Sequence, residues 1–422
     1  MQEAINYALE NNRNIKNADL NILAAKHQVW ETTALGLPQI NGKVDYSIYL
    51  RTPSFEMPAS EPNPNPEGEQ FNLLSVLFPK HNLTPSITLN QLIFDGGYLV
   101  GLQSNKVFLA ISENAKDKTT NEVENSVVNA YNNALLTKES IEITKNNIAV
   151  LKLNLEETTK IFDNGLTEEE DVEQLQLTLN SLEITLNNLE ALFDISKGYV
   201  KVLLGLDPNS PIELTDTLSG LIDENINLNL ISDEHSITNN IDYKIAENEA
   251  VSKELEYKLE KSEQLPKINA FASANYLGYS DSFSNYFRSE QEWLFTSLAG
   301  VSITFPIFSS GGGKAKRQRA RVEWDIAENN LKIKEDQLLL DFKNAKTEYN
   351  LAIETFQNQK KNLALAEKIE RKNTVKFKEG IASSFDLRQA QTQLYSSQQE
   401  YLQSIIDVIN KKANLKNLLN LK

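Results

Sequence analysis

Two periodicities share this chain. Ile40, Gly42, Val44, Tyr46, Ile48 and Leu50 alternate with Asn41, Lys43, Asp45, Ser47, Tyr49 and Arg51, the period of two that gives a strand one apolar and one polar face. Leu83, Ile87, Leu89 and Ile93 alternate with Thr84, Ser86, Thr88 and Asn90 in the same way, and Trp293, Phe295, Val301, Ile303, Phe305 and Ile307 share a face further on. Residues 268–280 alternate poorly. The pattern predicts four strands, as one hairpin over about 38–95 and a second over about 266–309. The rest reads as helix. From Gly97 to Phe162 and from Gly312 to Phe377 no proline interrupts 65 steps, a rod of roughly 100 Å in each case. Leu175, Leu179, Leu182, Leu186, Leu189 and Phe193 then step by four and three, and Tyr401, Ile405, Val408, Leu415 and Leu419 keep that register with one gap. Coiled-coil helices over about 168–205 and 383–421 follow from this spacing.

The chain also repeats itself. Asn12-Arg13-Asn14-Ile15 matches Asn240-Ile241-Asp242-Tyr243, and Leu37-Pro38-Gln39-Ile40-Asn41 matches Leu265-Pro266-Lys267-Ile268-Asn269, both 228 residues later. Leu92-Ile93-Phe94-Asp95-Gly96-Gly97 matches Pro306-Ile307-Phe308-Ser309-Ser310-Gly311 after 214 residues. Phe162, Gly165, Asp171 and Gln176 return as Phe377, Gly380, Asp386 and Gln391, and Leu203-Leu204-Gly205-Leu206 as Leu418-Leu419-Asn420-Leu421, all after 215. The drop between offsets makes residues 53–82, with Pro53, Pro58, Pro62, Pro64 and Pro66 among them, a longer loop than 281–292. Two tandem structural repeats are expected, 1–205 and 239–422, joined by a linker-like segment at 206–238 that carries Pro208 and Pro211.

Composition narrows the function. Among 422 residues, 42 basic and 58 acidic side chains leave a net charge of −16, which makes nucleic acid an improbable partner. There is no cysteine, and the three histidines, His27, His81 and His235, are isolated. No metal site, cofactor or catalytic constellation is therefore expected, and the chain does not read as an enzyme. No run of 18 apolar residues spans a bilayer as a helix, whereas strands of a membrane β-barrel show only alternation and remain possible. The first residues, Met-Gln-Glu-Ala-Ile-Asn, show no basic segment followed by an apolar one. No secretory signal is visible, as in a mature domain from which one has been removed.

Four strands cannot sit in a membrane alone, because an open sheet leaves edge amides and carbonyls unsatisfied in hydrocarbon, each costing several kcal/mol. The chain must oligomerise. Two copies would give eight strands and an interior filled by side chains, and three would give twelve strands and a lumen. The long helices of the same copies would close a second, α-helical wall. The alternatives are a soluble extended coiled-coil scaffold and a soluble sandwich, the latter disfavoured because four strands among long helices have no second sheet to pack on.

The order of helix, LPxIN, hairpin, IFDGG, very long helix, FxxGxxxxxD and heptad helix, given twice from about Asn12 to Leu421, resembles the TolC-type outer-membrane efflux channels. The resemblance implies an α+β membrane protein: a homotrimer with a 12-stranded β-barrel, four strands per chain, continuous with a long α-helical coiled-coil barrel. It implies the outer membrane of a Gram-negative bacterium, an extension into the periplasm, and a passive exit duct of a tripartite efflux pump or type I secretion system. The implied partners are outer-membrane lipid, a periplasmic adaptor and, through it, an inner-membrane transporter. Residues 206–238 would join an equatorial belt around the tunnel.

By the family's layout the two FxxGxxxxxD turns form the periplasmic tip. Asn164-Gly165-Leu166-Thr167 and Glu379-Gly380-Ile381-Ala382 match the turns where adaptor hairpins dock; Gly165 and Gly380 equally suit helix C-caps of positive φ, and the two roles are compatible. Asp171 and Asp386 open the heptad helices, where the helix dipole favours a carboxylate by about 0.3–1 kcal/mol. The functional alternative is an acidic ring at a closed channel gate, brought together by threefold repetition and enlarged by Glu168, Glu169 and Glu170. The sequence departs from the family's best-known pattern at Gln389, where a second acid is expected, and at Phe377 and Ala382, where a tyrosine and an arginine are. Lys314, Lys316, Arg317, Arg319 and Arg321 follow three glycines, but Phe308 and Ala315 break the phosphate-loop pattern. These cations read as solvated or ion-paired, or as attracted to headgroups at the barrel's periplasmic rim. Trp293, Tyr46, Tyr49, Tyr276 and Tyr279 are candidates for interfacial aromatic girdles.

Overall fold

The structure, a computed structural model, describes residues 1–51, 80–226 and 237–420. Most of the proline-rich first hairpin loop, part of the 206–238 segment, His235 and Leu421 lie outside the described residues. The elements run α1 (Gln2–Asn11), α2 (Arg13–Ala34), β1 (Gln39–Ile48), β2 (His81–Phe94), α3 (Gly96–Asp163), α4 (Glu169–Leu204) and α5 (Leu218–Asn225). They continue with α6 (Ile241–Ser262), β3 (Lys267–Ser280), β4 (Trp293–Thr304), α7 (Gly312–Lys378) and α8 (Ser384–Leu419). The chain is mostly helical, with one small antiparallel sheet. Two compact units are interleaved along it. One takes Met1–Ala25, Leu109–Ala250 and Ile326–Lys422, and the other takes Lys26–Phe108 and Val251–Asp325, so each draws on both halves of the sequence.

The four strands pair in the order β1-β2-β3-β4, all antiparallel. Directly paired residues share a face, so the register sorts the sheet. Val44 meets Pro85 and Tyr46 meets Leu83. Leu83 meets Gly278 and Ile87 meets Ala274. Gly278 meets Trp293, Tyr276 meets Phe295, and Ala270 meets Val301. One face is thus apolar across all four strands, while the other carries Asn41, Lys43, Asp45, Ser86, Thr88, Ser273, Asn275, Thr296 and Ser302. β3 alternated poorly because its apolar face is built from alanines, and because Phe271 stands on the opposite face, lying over Gly300 where a Cβ would come within 2.9 Å of the ring. Phe305 and Ile307, expected on the strand, fall beyond its end at Thr304.

In the first unit the core gathers around α8, which buries Leu402, Ile405, Ile406, Val408, Ile409 and Leu415 against α1, α3, α5 and α7. This buried stripe is broader than the spacing of Ile405, Val408 and Leu415 alone suggested, because α8 is covered from several sides. Tyr349 of α7 is fully buried and donates its hydroxyl to the Asn225 carbonyl at 2.7 Å. Helix ends are tied by side-chain amides. Asn12 accepts from the Asn14 N–H at 2.8 Å and donates to the Leu203 carbonyl at 2.7 Å. Asn240 accepts from the Asp242 N–H at 2.8 Å and donates to the Leu418 carbonyl at 2.9 Å. Each asparagine therefore starts one helix and holds the end of another.

Candidate functional site

The first candidate surface is the sheet. β1 and β4 are its edges, with no further strand paired to either among the described residues. On its apolar face Ile40, Val44, Ile87, Phe295, Val301 and Ile303 are all exposed. Six large apolar side chains on one face are a contiguous surface of the kind water-soluble monomers avoid. At the end remote from the helices an aromatic cluster covers this face. Tyr46 bonds His81 Nδ1 through its hydroxyl at 2.7 Å, Phe283 stands edge-on to Tyr46 at 5.1 Å, and Tyr286 lies 6.0 Å from Trp293. Tyr46, Tyr276 and Trp293 therefore share the apolar face; Tyr279 pairs with Asn82 on the polar face, and Tyr49 lies past β1. The sequence reading missed Phe283, Tyr286 and Phe287, which lie in a 3-10 turn between β3 and β4.

The second candidate surface is the pair of turns joining α3 to α4 and α7 to α8. Gly165 and Gly380 adopt φ of 71° and 72°. Each closes its helix with two bonds: Gly165 N–H to Phe162 O and Leu166 N–H to Ile161 O, Gly380 N–H to Phe377 O and Ile381 N–H to Lys376 O. This is the Schellman arrangement, in which the residue after the glycine usually packs back on the helix. Here it does not. Leu166 and Ile381 are 79 % and 75 % exposed, so both turns present an aliphatic side chain outward. Beneath them Leu175, Leu179, Ile148, Leu151 and Leu387 form a buried cluster on which Phe377 packs, joining α3, α4, α7 and α8.

The two aspartates behave differently. Asp386 sits in a capping box: it accepts from the Ser383 N–H at 3.0 Å and hydroxyl at 2.7 Å, while its own N–H donates to Ser383 Oγ at 3.2 Å. Those bonds hold its carboxyl below the ordinary value. The Ser-x-x-Asp spacing was a readable signal for this box. Asp171 is half-buried, which raises its pKa, but hydrogen bonds from Ser384 and Thr167 outweigh burial and lower it. Ser384 belongs to the other turn. Asp171 thus braces one turn against the next, a role that only the fold reveals. Glu168, Glu169, Glu170 and Gln389 are exposed; Glu170 accepts from Gln174 Nε2 at 2.8 Å. Arg388, absent from the sequence reading, lies 5.4 Å over the Phe385 ring.

Beside its apolar core, the seam between α3 and α8 carries polar pairs. Asn132 donates to Asn410 at 2.9 Å, Ser140 to Gln399 at 3.3 Å and Asn147 to Gln398 at 2.8 Å. Buried in the same helices, Asn154 Nδ2 and Gln391 Oε1 have no hydrogen-bond partner. Among the described residues no group of three His, Asp or Glu side chains is placed to hold a metal ion, and no helix is long and apolar enough to cross a membrane.

The chain thus joins an exposed, amphipathic sheet, whose two edges are unpaired among the described residues, to helices of 68 and 67 residues. The sequence pattern of the family Outer membrane efflux protein matches residues 4–206 and 236–421, and the chain belongs to that family. Its function is accordingly that of an outer-membrane exit channel for efflux. Family and fold are those of channel proteins and not of known enzymes. The fold is similar to that of the CmeC outer membrane channel of Campylobacter jejuni, with a TM-score of 0.77 at 15 % identity over 99 % of this chain and 85 % of that one. It is similar to the outer membrane protein VceC of Vibrio cholerae, with 0.75 at 16 % over 99 % and 95 %. It also resembles the open state of the MtrE outer membrane channel of Neisseria gonorrhoeae, with 0.73 at 16 % over 100 % and 89 %. Among curated protein sequences none matches the chain significantly.

Proposed function

We propose that three copies of the chain form a passive duct across the outer membrane and periplasm of a Gram-negative bacterium, as the exit stage of a tripartite efflux pump or a type I secretion system. Twelve strands close a barrel, continuous with a helical barrel made from α3, α4, α7, α8 and their copies. The observation that carries this reading is the sheet itself. Its unpaired edges and exposed apolar face are tolerable together only if copies pair edge to edge and lipid covers the face. A further stripe on α4, Leu177, Ile184, Leu192 and Ile195, is exposed beside the half-buried Leu182, Leu186 and Leu189 and would meet a neighbouring copy. The matched bonds of Asn12 and Asn240 support two structural repeats, 1–205 and 239–422 about the 206–238 segment.

In this assembly Asn164, Gly165, Leu166 and Thr167, with Glu379, Gly380, Ile381 and Ala382, receive a periplasmic adaptor linked to an inner-membrane transporter. Asp171 and Asp386, with Glu168, Glu169, Glu170 and Gln389 near them, form the polar constriction of the closed end. The test is native mass spectrometry of the detergent-solubilised full chain, with conductance in planar bilayers. Three chains and a steady ion current are expected, and a stable, non-conducting single chain would overturn the reading.

A further inference from the structure

We propose that the start of α7 is an anchor for anionic phospholipid, in which Lys314, Lys316 and Arg317 hold headgroup phosphates beside the apolar side chains of Phe305, Ile307 and Phe308. The proposal rests on the reading above that the Val301 and Ile303 face meets lipid. β4 ends at Thr304, and the next apolar side chains do not turn inward. Phe305, Ile307 and Phe308 are 58 %, 88 % and 86 % exposed, so they carry the apolar face past the end of the strand. The chain then turns through Ser310 and Gly311, at φ of 49° and 81°, and the Gly312 N–H closes the turn on the Ser309 carbonyl at 2.8 Å. The cations that follow are therefore set on a fixed turn and a helix.

Their charge is not balanced within the chain. Arg319 pairs with Glu323 at 3.6 Å, and Arg321 pairs with Asp325 at 2.9 Å while lying 4.1 Å over Trp324, which stacks on Tyr257. Lys314, Lys316 and Arg317 take part in no ion pair among the described residues, and both lysines are exposed. Arg317 uses one N–H on the Gly313 carbonyl at 3.4 Å. Three like charges within one turn repel, and they stand at a helix N-terminus, where the dipole disfavours cations. The turn does not require them: counted from Gly97, which matches Gly311, the corresponding positions in the first half are Val100, Leu102 and Gln103, none of them charged. In a chain of net charge −16 such a cluster calls for an anionic partner. An array of phosphates over hydrocarbon fits both the cations and the exposed Phe and Ile side chains, because it offers charge and an apolar layer at one boundary.

The full-length protein is reconstituted into vesicles of phosphatidylcholine and phosphatidylglycerol in equal parts, and the lipids retained on release are counted by native mass spectrometry. The unaltered protein should keep phosphatidylglycerol in preference. The triple variant Lys314→Gln, Lys316→Gln, Arg317→Gln should lose about fivefold of that preference per charge removed, while Lys314→Arg with Lys316→Arg keeps it and Arg321→Gln, already paired, changes it little. An undiminished preference in the triple variant overturns the proposal. So does a triple variant that falls into single chains in lipid-free detergent with its lipid ratio unchanged, which would put the cations at a seam between copies. Failure of the unaltered protein to enter vesicles at all would overturn the barrel reading, and the anchor with it.

Discussion

Replacing Asp171 by alanine removes a carboxylate that links the two turns. It accepts from Thr167 on its own turn and from Ser384 on the other, and it stands in the first turn of α4. Hydrogen bonds to a charged group contribute about 1.5–3 kcal/mol when well sheltered. Asp171 is only half-buried, so the pair of bonds together with the helix dipole stabilise by about 2 kcal/mol after allowance for solvent screening. A double-mutant cycle with Ser384→Ala should return a coupling of about 1 kcal/mol, read from hydrogen exchange at residues 162–171 and 377–386, which reports local opening. The sign with pH follows from the lowered pKa. Because the folded value lies below the unfolded one of about 3.9, the stabilisation is complete above that pH and is lost as pH falls through the folded value. Asp171→Asn keeps an acceptor without the charge and should flatten this acid limb. Additive effects of Asp171→Ala and Ser384→Ala, within about 0.3 kcal/mol, would refute the brace.

Four further outcomes are expected. Gly205→Ala should cost more than Gly165→Ala, although both glycines have positive φ: a Cβ at Gly205 would lie 2.6 Å from the Asn11 carbonyl oxygen, while at Gly165 it meets nothing within 4 Å. The open site carries only the left-handed backbone cost of about 1–2 kcal/mol, and equal shifts in thermal unfolding would disprove the contact. Gln391→Met should raise stability by about 1 kcal/mol by removing a buried acceptor without a partner; destabilisation would show that the amide is satisfied. Val44→Arg, on the apolar face, should impair membrane assembly by about 2–4 kcal/mol if near the bilayer midplane, whereas Asp45→Arg on the polar face should assemble; equal tolerance in a detergent-extraction assay would reverse the face assignment. Asp171→Asn with Asp386→Asn should lower cation selectivity and multivalent block in planar bilayers while three chains stay together, and unchanged selectivity would leave both aspartates as turn residues.

Much of this molecule is local physics, and local physics is legible in a sequence. The strand faces of β1 and β4 follow from alternation, the uninterrupted helices from the absence of proline between Gly96 and Asp163 and between Gly312 and Lys378, and the positive φ of Gly165 and Gly380 from glycine at a helix end. The spacing of Ser383 and Asp386 is a local signal of the same kind, which the reading of Asp386 as a helix-terminal or gate acid did not use. What the sequence could not decide are the partnerships between residues far apart along it. β3 was obscure because a central strand can face a neighbour with alanine, and because Phe271 is compensated by Gly300 on the adjacent strand. Asp171 read as a helix-terminal charge or a gate acid, and its link to Ser384, more than 200 residues away, had no signal in either reading. The aromatic side chains between β3 and β4 carry no period, so only the folded turn shows Phe283 and Tyr286 reaching Tyr46 and Trp293. Periodicity records which way a side chain points within its own element; which element it then meets is set by packing, a property of the whole chain.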